Sequence, residues 1–247
     1  MRRNRSPRST ARPARAPLLP FRSRRGGARP GAGRKPKGAH AGVSHAARAP
    51  LAPRHPVHVT IKLQAHLPRL RRRDEYAALR AAFVAARSTQ VHGASGAMAV
   101  FRICHFAILN DHIHLLVEAA DRQSLSRSIQ GLLVRIARAL NRLWQRQGKV
   151  FADRYHDHIL KSPRETRNAL KYVLQNARHH AARGRMVDAR APVDLFSSAP
   201  WFDGFRQPIR FRGLEAVVCP IADARTWLLR VGWRRHGLLD ILGAAIV

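Results

Sequence analysis

The stretch LNDHIHLLVE at residues 109–118 limits the fold more than any other segment of the chain. Side chains of a strand alternate between its faces, so Ile113, Leu115 and Val117 project together while His112 and His114 project opposite. The strand is therefore half-buried, with its aliphatic set on a core and its imidazoles on the other face. Asn110 and Asp111 both tolerate positive φ and make a short turn. The preceding AMAVFRICHFAIL (97–109) is strand-like, so 97–119 reads as a β-hairpin.

The flanking sequence supplies the partners. VHVTIKL (57–63) is an alternating, β-branched strand, and RRRDEYAALRAAFVAARS (71–88) is helical in composition. In SLSRSIQGLLVRIARALNRLWQRQG (124–148), Leu125, Ile129, Leu132, Leu133, Ile136, Leu140, Leu143 and Trp144 recur at helical spacing. Arg127, Arg135, Arg138 and Arg142 fall off that stripe, and Gly148 is the expected stop. YHDHIL (155–160) reads as a short strand. SPRETRNALKYVLQNARHHAARG (162–184) opens with Ser162 as N-cap, Pro163 at the first helical position and Glu165 closing a capping box. Further on, DLFSSAPWFDGF (194–205) reads as a loop with exposed-type aromatics, and ARTWLLRVGWRRHGLL (224–239) as a helix broken at Gly232. The order β-α-β-β-α-β-α predicts an α+β fold, a split βαβ sandwich. It has one antiparallel sheet with helices on one face, an open second face, and a tyrosine-bearing helix at its C-terminal end. Three regions follow: a basic tail (1–56), the folded domain (57–184) and a C-terminal extension without an assigned role (185–247).

Charge restricts the partner. Lys and Arg number 46 against 14 Asp and Glu, a formal charge of +32. This much positive charge predicts a polyanion, with nucleic acid ahead of a membrane surface. No apolar run is long enough to span a bilayer. Cys104 and Cys219 are far apart, which argues against a structural zinc site or a disulfide framework and fits a reducing cytoplasm, on the nucleoid if the source is bacterial. Residues 1–56 contain no acid, are dense in Arg, Pro, Gly and Ala, and are expected to be disordered. Within them RRGGARPGAGRKPKG (24–38) presents Arg24, Arg25, Arg29, Arg34, Lys35 and Lys37 on a thin chain. This is either an AT-hook-like insert for the minor groove or a polycationic tail holding phosphates. An Arg-rich, acid-free start also mimics a mitochondrial transit peptide.

Two imidazoles on one strand face can share a divalent ion, although a lone H-x-H pair is as readily a surface feature. The helix at 162–184 adds a second element. Thr166, Leu170, Val173, Leu174 and Ala177 share its apolar face, and Tyr172 lies nearly opposite with Asn168, Asn176 and His179. A metal on His112 and His114, an amide one turn from a tyrosine and a basic chain together point to phosphodiester chemistry. The ion would polarise a phosphate, and the phenol would attack it to give a 5′-phosphotyrosyl link and a free 3′-OH. Tyr155, beside His156 and His158, is the rival nucleophile.

NDHIHLLVE, LVRIARALNRLWQRQGKVFADRYHDHIL and NALKYVLQNARHH, in that order, resemble the REP-associated tyrosine transposases, relatives of the single-tyrosine HUH nucleases. The resemblance spans roughly residues 57–180. It implies a ferredoxin/RRM-like core, His112 and His114 as metal ligands, Tyr172 as nucleophile, and Asn176 as the amide completing a Mg²⁺ or Mn²⁺ site. Gln175 is the neighbouring alternative, and Asp111 stands where the family often has Asn. The implied substrate is single-stranded or hairpin DNA from palindromic repeats, cleaved and rejoined by transesterification; monomer and homodimer are equally compatible. Two other classes fit the same scaffold: a non-catalytic single-strand-binding protein, and a metal hydrolase without a covalent step. The first lacks an RNP-type aromatic motif, and the second lacks the carboxylates of a two-metal site.

Overall fold

The computed structural model describes residues 48–93, 95, 96, 98–181, 193–207, 214 and 216–241. The chain divides between Ala41 and Gly42, and all described residues lie in the second unit. Its elements are β1 (Val57–Lys62), α1 (Arg73–Ala86), β2 (Ser88–His92), β3 (Met98–Ile108), β4 (His112–Glu118), α2 (Arg122–Leu143), β5 (His156–Ile159), α3 (Pro163–Ala181) and α4 (Trp227–Arg230). Two 3₁₀ turns, Ala199–Trp201 and Gly232–His236, complete the set.

The five strands form one antiparallel sheet in the order β2-β3-β4-β1-β5. Without β2 this is the split βαβ arrangement, so the α+β fold class is as expected. Strand β2 is the addition. Its sequence STQVH alternates exposed and half-exposed residues at the sheet edge, so it lacks the apolar signal that marks the other strands.

One face of the sheet carries the main core. Val57, Val59 and Ile61 of β1 and Ile113, Leu115 and Val117 of β4 meet Leu79 and Phe83 of α1 and Leu125, Ile129, Leu132, Ile136 and Leu140 of α2. Strand β3 could not supply Ile103, Phe106 and Ile108 to that face by strict alternation. A bulge between Ile103 and His105 shifts the register by one residue, with Cys104 as the extra residue. At the start of α2, Asp121 accepts from the Ser124 N–H at 2.7 Å and Ser124 Oγ accepts from the Asp121 N–H at 3.1 Å. At its end the helix stops short of Gly148: Gln145 adopts φ 49°, and the Trp144 indole donates to buried Glu75 of α1 at 3.0 Å.

The second face is not open. Ala169, Leu170, Val173 and Leu174 of α3 cover it, joined by Val193, Ala199, Phe205, Leu229, Trp233, Leu239 and Ile241 from the C-terminal segment. These pack on Cys104, Ala107 and Leu116 of the sheet. The aromatics of 194–205 are accordingly packed rather than exposed: Phe205 is buried, Phe202 stacks on Trp233, and Phe196 packs on Tyr76. A bidentate pair, Arg71 to Asp194 at 2.7 and 2.8 Å, ties the segment to the sheet, and Arg71 also donates to the Ile108 carbonyl at 2.9 Å. The helix read over 224–239 is two short turns separated at Val231. A Cβ at Gly232 would stand 2.6 Å from the Trp227 ring, so glycine lets that ring lie against the backbone there.

His105 on the second face is buried between Ser198 and the Phe202 ring, and burial pulls its pKa down to about 4. The unfolded chain therefore binds a proton that the folded chain refuses between pH 6.5 and about 4. Stability should fall as pH drops through this window. His105→Gln should reduce that pH slope by about one proton in urea unfolding across the window; an unchanged slope would remove His105 from the linkage.

Candidate active site

The register places the histidines. β1 and β4 pair with Thr60 opposite His114, His58 opposite Leu116 and Lys62 opposite His112; β5 adds His158 opposite His58 and His156 opposite Thr60. Residues opposite one another share a face. His58, Thr60, His112, His114, His156 and His158 therefore all lie on the face covered by α3.

His112 and His114 come together as the alternation requires, with ring centroids 4.8 Å apart and planes at 87°. His114 is buried, whereas His112 keeps some exposure at the end of the strand. Nδ1 of His114 lies 3.1 Å from both His58 Nε2 and Thr60 Oγ1. Nδ1 of His112 lies 2.8 Å from Asp111 Oδ1. Both rings are thus held through Nδ1, and a cation would meet them through Nε2, the usual way a hydrogen-bonded second shell fixes a metal-binding imidazole. Burial, followed by the charge of His158, pulls His58 down to about 4, so its ring is neutral at pH 7 and can accept from a His114 Nδ1–H. Burial pushes the Asp111 carboxyl up, but the hydrogen bond and charge of His112 outweigh it and hold it below its usual range.

Tyr172 of α3 closes the cluster. Its ring centroid is 5.1 Å from that of His114 and 5.8 Å from that of His58, edge-on to both. It remains 44% exposed, while Thr166, Leu170, Val173 and Leu174 bury the apolar stripe. The N-terminus of α3 is fixed as the capping signal implies, with a difference. Ser162 Oγ accepts from the Glu165 N–H at 3.2 Å, and the Glu165 carboxylate accepts from the Lys161 N–H at 2.7 Å. Glu165 also pairs with His158. Burial pushes Glu165 up, but the Lys161 N–H and His158 outweigh it and hold the carboxyl below its usual range.

Tyr155 does not join the site. Its parity puts it on the opposite, main-core face, 7% exposed. Its hydroxyl bonds Ser126 Oγ at 3.1 Å, and the Arg48 guanidinium stacks on its ring at 3.7 Å. Gln175 donates to the Asp240 carbonyl, which holds its amide on the C-terminal segment. Asn176 lies on α3 one turn beyond Tyr172; its side chain is outside the described residues. Arg24, Arg25, Arg29, Arg34, Lys35 and Lys37 lie outside them as well. Arg135, Arg138 and Arg142 are exposed on α2, across the sheet from the histidines.

Among the described residues no group of three His, Cys, Asp or Glu side chains is arranged to hold a metal. The donor set is two imidazoles next to a partly exposed phenol. It fits a cation that takes its other ligands from an amide, water or substrate oxygen.

Residues 70–176 match the family model for IS200-like transposases. The match is confined to that segment of the chain. It begins just before α1 and ends at Asn176, so it contains His112, His114, Tyr155 and Tyr172, while β1 with His58 and Thr60 precedes it. Among solved structures, a REP-associated tyrosine transposase bound to a REP hairpin is similar at 16% identity and a TM-score of 0.42, covering 56% of this chain and 74% of that one. No curated protein matches.

Sequence reasoning missed His58, Thr60 and Lys62, which the register sets on the same face as His112 and His114. A signal was present: VHVTIKL puts all three on one face, and split βαβ topology sets this strand beside 112–118.

The two tyrosines should separate in stability. Tyr155→Phe loses a half-buried hydrogen bond and should cost about 1 kcal/mol in urea unfolding. Tyr172→Phe, at an exposed hydroxyl, should stay within about 0.5 kcal/mol. The reverse order would contradict the burial assigned to each.

Proposed function

We propose that the chain is a DNA transposase that cleaves and rejoins single-stranded or hairpin DNA through a covalent bond to Tyr172. The observation that carries this reading is the convergence, across β4 and α3, of an accessible phenol with two imidazoles held through Nδ1. The IS200-like match over the same residues and the formal charge of +32 support it.

The chemistry is a transesterification. Tyr172 Oη attacks a phosphodiester phosphorus, the bond to the 3′ oxygen breaks, and a 5′-phosphotyrosyl link and a free 3′-OH result. The phenolic proton leaves Tyr172 and one proton is taken up by the departing 3′ oxygen. One phosphoester replaces another, so a 3′-OH can reverse the step and rejoin a strand without external energy. A divalent cation, Mg²⁺ or Mn²⁺, bound by His112 and His114 with Asn176 as the amide ligand, would polarise the phosphate. The remaining work falls to the chain itself. His58 and Thr60 hold the His114 ring, Asp111 holds His112, and packing of Leu170, Val173 and Leu174 fixes the helix that aims Tyr172. Lys62, exposed and opposite His112, supplies positive charge beside the phosphate. The basic N-terminal tail and the Arg135, Arg138 and Arg142 ridge would contact phosphates farther from the reacting centre.

Tyr172→Phe should fold, bind hairpin DNA and form no covalent adduct in Mn²⁺ on a denaturing gel, whereas Tyr155→Phe should retain the adduct. An adduct that survives in Tyr172→Phe would overturn the nucleophile. No adduct from the unaltered chain on any hairpin would favour a non-catalytic binding protein.

His112→Ala, on the less buried of the two rings, should lower adduct yield by at least ~100-fold and weaken Mn²⁺ binding measured by calorimetry. Undiminished Mn²⁺ affinity would remove His112 as a ligand.

A further inference from the structure

The end of the sheet farthest from His112 carries a second feature. Arg102 of β3 stands directly opposite Glu118 of β4, on the face that also bears His112 and His114. Such a cross-strand pair would ordinarily neutralise itself. Here both Glu118 carboxylate oxygens are taken by backbone donors of the C-terminal segment: the Arg225 N–H at 2.9 and 3.0 Å and the Thr226 N–H at 2.8 Å. Glu118 is 3% exposed, and those bonds hold its carboxylate on the C-terminal segment. Arg102 lines a cavity of about 510 Å³ together with Arg54, Arg225, Trp227 and Glu118 itself. Among the described residues none of these three arginines forms an ion pair. Trp227 is 48% exposed, and the Arg235 guanidinium lies 4.9 Å from the centre of its ring.

Three arginines against one carboxylate, with an exposed indole, around a space of small-ligand size suit one chemical unit, a phosphate with an attached base. Arginine forks bind the phosphate oxygens, and an aromatic face stacks any base without reading its sequence. The pocket lies four β4 residues from His114, roughly 13 Å along the strand, a separation of a few nucleotides. We infer that this pocket, built jointly by β3, β4 and the C-terminal segment, holds a nucleotide of the single-stranded DNA that flanks the reacting strand. The inference rests on the reading of the chain as a DNA transposase, and it gives the C-terminal segment a role in binding substrate.

The test compares a hairpin carrying a short single-stranded flank with the same hairpin made blunt, by fluorescence anisotropy over a salt series with the full chain. The double variant Arg102→Gln, Arg225→Gln should bind the flanked hairpin about tenfold more weakly. Its salt slope should be smaller by roughly 1.4, two charges at about 0.7 each on a single strand. Affinity for the blunt hairpin should be unchanged. Trp227→Leu should lose affinity for the flanked hairpin alone, with Trp227→Phe restoring most of it. Arg54→Gln, on a surface loop, gives a charge variant that leaves the sheet untouched. Equal losses on flanked and blunt hairpins would overturn the inference in favour of diffuse phosphate contacts. Competition by a free deoxynucleoside monophosphate as strong as by a single strand would overturn it in favour of a mononucleotide site. Adduct formation at Tyr172, scored separately at saturating DNA, distinguishes failure of the pocket from failure of the transposase reading.

Discussion

The pairing register of β4 against β1 is the constraint on which the rest depends. β4 is the middle strand of five, and six of its seven residues are buried. Slipping it by one residue would turn Ile113, Leu115 and Val117 out of the main core and push His112, His114 and Glu118 into it. Burying those polar groups without partners costs several kcal/mol, on top of roughly 1.5–3 kcal/mol for each aliphatic side chain displaced. A register fixed this firmly sets Thr60 and His58 against the His114 ring, and it sets Glu118 where the C-terminal segment can bond it. Packing on one face of the sheet thus decides the chemistry available on the other.

Much of this could be read from the chain. The alternation in 112–118, the apolar stripe of α2 and the cap of α3 each carry a local signal strong enough to fix an element, and together they give the sheet, its helices and the His112–His114–Tyr172 convergence. What escaped depends on contacts between distant segments. Strand β2 offers a single aliphatic residue, Val91, so only its pairing with β3 identifies it. The bulge at Cys104 has no local signature; it exists because Ile103, Phe106 and Ile108 must all reach one core. Tyr155 and Tyr172 both sit beside histidines in sequence. They separate only through parity, since Tyr155 falls on the same face as Asp157 and Ile159 and is drawn into the main core. An open second face was the natural expectation because, beyond α3, the apolar residues that cover it are scattered between Val193 and Ile241 with no period to reveal them.

That cover changes how the histidines are held. Had the second face been open, the histidines would be solvated, and their orientation would be set by whatever bound them. Beneath α3 and the C-terminal segment His114 is buried, its ring is aligned in advance, and neutral His58 contributes an acceptor instead of a competing charge. For the proposed transesterification, less reorganisation would then be left for the reacting state, which is where a preformed site gains over a flexible one.

Glu118 shows how closely the cover and the sheet are joined. A buried carboxylate is tolerated only when it is paired or fully hydrogen-bonded. Arg102 is the partner its own sheet offers, yet the carboxylate takes the Arg225 and Thr226 N–H groups instead. Those bonds fix the start of α4, and α4 with its following turn places Trp233 under Gly204 and Phe202. Removing the C-terminal segment would therefore strip Leu116 and Ala107 of their cover and leave Glu118 charged with no backbone donors. Its nearest remedy would be to pair with Arg102, which would close the electropositive end of the face. The segment's packing role and the availability of Arg102 are consequences of the same three hydrogen bonds.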